Sequence, residues 1–182
     1  MKKILVPLAD GFEEIEAVTI IDVLRRAGGE VVTAGLEKRN VHGSHQIHLV
    51  ADTVLAECLD QNWDLIVLPG GGEGVKRLLQ DSRLKELLQR HKAAGKLTGA
   101  ICAAPAVLAN AGVLQGRKVT GHPTWREAII DAQYSGAAVE DAEKIVTGRS
   151  AGAALKFAYL LVEKLFGPEK VREIDQGIIA EN

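Results

Sequence analysis

Cysteine, aromatic side chains and surplus charge are all scarce in this chain. Cys58 and Cys102 are its only cysteines. Two are too few for a disulfide scaffold, and a reducing cytoplasm is the expected compartment. Three Phe, two Tyr and two Trp leave the core to aliphatic residues. A formal net charge of −2 gives no basic footprint for nucleic acid or an anionic membrane surface. No stretch of about 18 apolar residues occurs, so no membrane span is expected. The opening MKKILVPLADGFEE soon turns acidic and shows no cleavage site, which favours a first strand over a signal peptide. Repeats, low-complexity tracts and linkers are missing too. The 182 residues suit a single domain over 1–182.

What the chain does have is 47% apolar residues and 19 glycines, enough for one sizeable core with many tight connections. Short β-branched runs alternate with longer helical patterns. Strands are expected at 3–8, 30–34, 64–69, 97–102, 118–120 and 144–148, the segment at 118–120 being short and central-looking. A half-exposed strand or hairpin arm is expected at 41–50. Helices are expected at 12–27, 82–94, after Cys102 through APAVLANAG, and at 150–166 and 168–180. Strands separated by helices imply crossover connections and a parallel sheet. Runs that are apolar on both faces, such as LIVL, imply helices on both sides. The fold class is therefore a doubly wound α/β sandwich, with its ligand site at the C-terminal strand ends near a topological switch point.

Four strand ends stand out. Cys102 falls where a buried strand meets a helix, flanked by Ala100 and Ala104. Small neighbours at these positions are the steric requirement of a nucleophile elbow. The partial positive charge at a helix start favours thiolate. The plainer reading is a packed core cysteine. Glu16 lies within about 40° of Phe12, Ile20, Val23 and Ala27 on a helical wheel, in the middle of the apolar stripe. Glu13 falls to the side and Glu14 toward solvent. A buried carboxyl has a raised pKa and can serve as a general acid. Its alternative is a stripe that meets polar surface.

The loop Pro69-Gly70-Gly71-Gly72-Glu73-Gly74 offers bare backbone N–H groups. It is not a P-loop and fails G-x-G-x-x-G, so an oxyanion hole suits it better than a phosphate cradle. A tight strand-to-helix turn is the plainer reading. His122 follows a short strand and could act as a base toward Cys102, or simply be a hydrogen-bonded residue. His42, His45 and His48 are a weak zinc pattern, because His45 points opposite to the other two on a strand. Cys58, in an acidic stretch, is expected to be inert or mildly oxidisable. Trp63 and Trp125 read as packing residues, and Arg25-Arg26 and Glu37-Lys38-Arg39 as solvated surface.

Taken together, LADGFEEIEAVTIIDVLRRAG, VLPGGGEG, AICAAPAVLA, KVTGHP and TGRSAGAALKFA, in this order, resemble the DJ-one family of the ThiJ/PfpI superfamily over essentially the whole chain. The resemblance implies a flavodoxin-like sandwich and a homodimer. It implies Cys102 as an easily oxidised nucleophile hydrogen-bonded to a protonated Glu16. Gly71 and Ala103 would supply the oxyanion hole, with Gly70 and Gly72 beside them and His122 close by. Arg149 matches an arginine at the late turn, and Asp22 an acid that orients His122. No cofactor and no metal are implied.

Three departures stand out. Ala103 occupies the position where the protease-like branch has a His. His45 replaces an arginine linked to the dimer interface, and Ala151 replaces a late-turn Pro. The implied activity is cofactor-independent attack on small dicarbonyls such as glyoxal and methylglyoxal, giving a 2-hydroxy acid, or release of their glycation adducts. The alternatives are a redox-sensing, chaperone-like stress protein, a cysteine peptidase or amidase, and, on fold class alone, a flavin-binding module.

Overall fold

The computed structural model describes residues 1–179. Strand β1 (Lys3–Leu8) leads into helix α1 (Glu14–Arg26) and strand β2 (Glu30–Gly35). A small hairpin follows, β3 (Asn40–His42) and β4 (His48–Val50), then β5 (Thr53–Val54) and a 3-10 turn. Next come β6 (Leu65–Leu68), α2 (Gly72–Gln80), α3 (Ser82–Ala93), β7 (Leu97–Ile101) and α4 (Pro105–Asn110). The remainder is β8 (Lys118–Val119), β9 (Gln133–Tyr134), β10 (Val139–Ala142), β11 (Ile145–Gly148), α5 (Ala154–Phe166) and α6 (Pro168–Ile178). The last residue of the helix expected at 168–180 lies outside the described residues.

The main sheet runs β10-β11-β7-β6-β1-β2-β5. Every pairing in it is parallel except β10 with β11. This is the mostly parallel flavodoxin-like sandwich. Its strand order reverses at β1, which has β2 on one side and β6 on the other.

Alternation along the strands builds two separate cores. Ile4, Val6, Leu8, Leu65 and Val67 face α1, α5 and α6, packing against Ile20, Leu24, Phe157 and Leu161. Leu5, Ile66, Leu68 and Ala100 face the opposite layer, against Val75 and Leu78 of α2, Leu84 and Leu88 of α3, and Leu108 of α4. Burying both faces makes LIVL continuously apolar. The helix layers hold the strand ends still, and the C-terminal ends of β1, β6 and β7 meet at one edge. No helix among the described residues is long and apolar enough to cross a membrane.

Several local expectations are corrected. The segment at 118–120 is not central: β8 pairs only with β9, in a two-stranded parallel ribbon outside the main sheet. Its single buried position, Val119, packs into the α2–α4 core and mimics a core strand over so short a window. The span 41–50, expected as a half-exposed strand or hairpin arm, holds both arms of an antiparallel hairpin, and His42 stacks on His48 across it at 4.2 Å. Helix α2 grows directly out of the glycine loop, whose composition hides it from propensity. Strand β10 has only half-buried or exposed residues and so gives no apolar run.

Glu14 does not face solvent. The hairpin folds over the start of α1, and Glu14 is 5% exposed. Its carboxylate accepts the His45 amide at 2.6 Å, Ser44 Oγ at 3.1 Å and His45 Nδ1 at 3.0 Å. Burial alone would raise its pKa, but these hydrogen bonds, His45 foremost, hold it down at about 2. The three histidines therefore do not converge: His45 sits at the hairpin tip on Glu14, away from the stacked pair.

Candidate active site

Cys102 is the first residue after β7 and sits in the left-handed region, with φ 64°. A side chain rarely adopts this conformation, and such strain survives only where its surroundings enforce it. Here they do. The Cys102 amide donates to Gly148 O at 2.9 Å, and its carbonyl accepts the His122 amide at 2.7 Å. Pro105 opens α4 immediately after the turn. The thiol is partly exposed, whereas Cys58 is sealed at 0%.

Glu16 is fully buried on the first turns of α1. Its Oε2 accepts the Gly70 amide at 2.7 Å, and its Oε1 has no hydrogen-bond partner among the described residues. Gly70 lies between the two side chains. A Cβ built on it would fall 2.6 Å from Cys102 Cβ and 2.7 Å from Glu16 Oε2. Only glycine fits at this point. Gly71, at φ 96°, is equally constrained: a Cβ there would lie 2.2 Å from Gly11 O. The loops after β1 and β6 are laced together, Glu13 N donating to Gly70 O at 3.0 Å and Gly74 N to Gly11 O at 3.2 Å.

Burial pushes Glu16 up to about 7, against the pull of the Gly70 amide and the neighbouring thiol. The thiol itself does not have the lowered pKa that its place before a helix suggests. Burial first, then the charge of Glu16 and a hydrogen bond to it, push Cys102 up to about 12, while the Ala103 and Gly71 amides pull it down. Helix α4 is only six residues long, so its field is weak beside the cost of burying an anion. Glu16 supplies two of the three upward pushes, and both require its negative charge. The pair is therefore coupled: a charged Glu16 adds to the cost of a thiolate, and a proton on Glu16 removes that part while the cost of burial stays.

Around this pair the expected residues take different places. Gly70 and Gly71 line the sulfur, and Gly72 begins α2 with Trp125 Cζ2 3.9 Å from its missing Cβ. Ala103 is buried directly after the sulfur. His122 is half-buried, its backbone tied to Cys102 and its Nδ1 2.8 Å from Thr124 Oγ1. Asp22 does not orient His122. It lies on the exposed face of α1 and pairs with Arg26 at 2.6 Å, the i,i+4 partner that the helix itself supplies. Arg149 is exposed and caps the Gly136 carbonyl at 3.3 Å. Ala151 opens a 3-10 turn before α5. Cys58 is raised to about 11 by burial and by Glu57, and Trp63 Nε1 donates to its carbonyl at 3.1 Å.

Sequence reasoning missed the brace behind His122. Thr120 N donates to Thr147 Oγ1 at 2.9 Å, Thr120 Oγ1 to Ala137 O at 2.7 Å, and Tyr134 OH to Gly121 O at 2.8 Å. Long-range polar contacts of this kind leave no periodic signal.

The sequence model of the DJ-1/PfpI family matches residues 2–164. The chain belongs to the DJ-1/PfpI family. DJ-1 homolog A of Arabidopsis thaliana is 41% identical over 98% of this chain but only 46% of its own length, so the chain spans less than half of that relative. The glutathione-independent glyoxalase DJR-1.2 of Caenorhabditis elegans is 35% identical, over 94% of this chain and 91% of its own. The crystal structure of Drosophila melanogaster DJ-1beta superposes with a TM-score of 0.96 at 37% identity, covering 100% of this chain and 99% of that one. This DJ-1/PfpI chain thus shares sequence with relatives that include a named glyoxalase, and its fold with DJ-1beta.

Two outcomes follow from the pair. Gly70→Ala should cost about 1–3 kcal/mol by overpacking. It should also change the rate at which iodoacetamide labels Cys102, read by mass spectrometry. An unchanged melting point and labelling rate would mean that the space beside Gly70 is open.

The second concerns pH. Glu16 has its folded pKa near 7 against an ordinary 4.5. The stability that depends on its neutral form is complete below the lower value and is lost as pH rises through the upper one. Glu16→Gln carries no such loss. Its melting temperature relative to wild type should therefore climb between these two values, and a constant difference would refute the raised pKa.

Proposed function

We propose that this protein is a cofactor-independent cysteine enzyme acting on small reactive dicarbonyls, converting glyoxal or methylglyoxal to a 2-hydroxy acid. The observation that carries this reading is a half-open thiol on a strained turn, set against a buried acid across the α-carbon of Gly70. Kinship with a relative named as a glyoxalase supports it.

With the shared proton on Glu16, the Cys102 thiolate adds to the aldehyde carbon. The carbonyl electron pair moves onto oxygen, where the Gly71 and Ala103 amides receive it. Glu16 then gives its proton to that oxygen, forming a hemithioacetal. A base removes the hydrogen from the former aldehyde carbon, and a proton is returned to the adjacent carbonyl carbon. Glu16, ionised by its transfer to the oxygen, is the base; His122 accepts the Thr124 amide on Nδ1 at 3.3 Å, so its Nε2 carries the hydrogen and serves as a donor to the adjacent carbonyl oxygen. The first carbon rises to the thioester level while the second falls to an alcohol, so no outside oxidant or reductant is needed. Water cleaves the thioester, releases the 2-hydroxy acid and restores the pair. The same attack on a dicarbonyl already bound to an amine or thiol would make the protein a deglycase.

A redox role for the same sulfur has one specific support. The unpartnered Oε1 of Glu16 is a ready partner for an oxidised sulfur, and Cys102 is open where Cys58 is sealed. A peptidase gains no support, because Ala103 follows the thiol where the protease-like branch has its imidazole.

We also propose assembly as a homodimer through α1 and the hairpin. Ile15 and Val18 are 60% and 51% exposed on α1, and Ile47 and Val50 are 58% and 66% exposed on the hairpin. Glu14 ties these two elements together, so the four apolar side chains belong to one surface.

Turnover decides the chemistry. The purified chain should convert methylglyoxal to lactate without glutathione, and Cys102→Ser should fall to background. A wild type that yields no 2-hydroxy acid, yet gains two oxygens on Cys102 and none on Cys58 under mild peroxide, would replace the enzyme with the sensor. Assembly is checked by sedimentation: wild type should run as a dimer and Val18→Asp as a folded monomer. Identical sedimentation of the two would remove α1 from the interface.

A further inference from the structure

A second depression lies at the same edge of the sheet, where β1 and β2 end and α2 closes the far side. Its volume is about 260 Å3, just below the ~300 Å3 at which typical ligand sites begin. Leu8, Ala9, Leu36 and Val41 form apolar wall, and Arg77 and Gln80, one turn apart on α2, form part of the polar rim.

The three acids of this wall are already engaged. Asp10 accepts the His42 amide at 2.9 Å and pairs with Lys38 at 2.8 Å. Asp81 accepts the Leu84 amide at 3.0 Å, and with Glu37 it holds Arg83. Arg77 and Gln80 differ. Neither side chain makes a hydrogen bond or ion pair among the described residues, and Arg77 acts on Glu73 only through its charge. A guanidinium fork and an amide thus stand side by side over an apolar wall with no acceptor of their own.

We propose that this cavity binds a small monocarboxylate with an apolar body. The carboxylate sits on the Arg77 fork with the Gln80 amide beside it, and the hydrocarbon lies on Leu8, Leu36 and Val41. Asp81 and Glu37 share the single cation Arg83 and leave one negative charge beside the Arg77 fork, so a carboxylate suits the fork better than a phosphate dianion. The small volume limits the body to a short chain or a single ring. Neither Cys102 nor Glu16 lines the cavity, so the proposal does not depend on the chemistry at the thiol.

Methyl NMR titrations of the whole chain with hexanoate, hexanol and hexylammonium test it. Hexanoate should shift the Leu36 and Val41 methyls saturably and bind about tenfold tighter than hexanol, the scale of one charge-assisted hydrogen bond. Arg77 is exposed, so Arg77→Met should keep the fold and bring hexanoate down to the level of hexanol. Cys102→Ser should bind hexanoate as wild type does. The proposal is overturned if no shift saturates, if hexanol or hexylammonium matches hexanoate, or if Arg77→Met keeps the preference. It is equally overturned if Cys102→Ser abolishes binding.

Discussion

The chain is organised around a carboxyl group and a thiol that face each other across a single α-carbon. Glu16 and Cys102 come from different strand-helix units and have no reason to meet except through the sheet that carries both. Once they meet, neither can ionise freely. Burial raises both, and the charge of either one penalises the charge of the other. A helix layer on each face of the sheet fixes the strand ends from which the pair is built, so the electrostatics of the site are set by the packing of the whole sandwich.

That packing converges on the loops after β1 and β6. Their lacing places the Gly71 amide at the sulfur and the Gly70 amide at the acid, so one glycine pair serves both partners. The strained backbone of Cys102 is held on either side by β11 and by the segment bearing His122. Strain of this kind costs about 1–3 kcal/mol and persists only where several elements enforce it together. Here three do: the end of β7, the end of β11 and the brace through Thr120 and Tyr134.

The sandwich was legible because its strands are buried on both faces, which writes continuous apolar runs such as LIVL into the chain. The burial of Glu16 was legible for a related reason: a helical stripe is a local pattern, and an acid in its middle is visible within a few turns. Glu14 shows the limit of that logic. A helical wheel registers only what a helix carries, and the hairpin that covers Glu14 comes from residues about thirty positions away. The same limit hid the true partner of Asp22, the peripheral place of β8 and the brace behind His122. The ionisation of Cys102 escapes the sequence for another reason. A helix start is local and visible, whereas burial and a facing acid are not, and those two dominate.

Two positions apart on one helix, Glu14 is held as a permanent anion near 2 while Glu16 keeps its proton up to about 7. What separates them is the hairpin tip, which delivers its donors to the first and leaves the second dry. The length of the tip thereby sets where those donors fall. Inserting or deleting a residue between Gly43 and Ile47 would pull those donors out of register, release a charge at the head of α1 and tilt the helix that carries the acid. An outlying turn is thereby tied, through one helix, to the acid that faces Cys102.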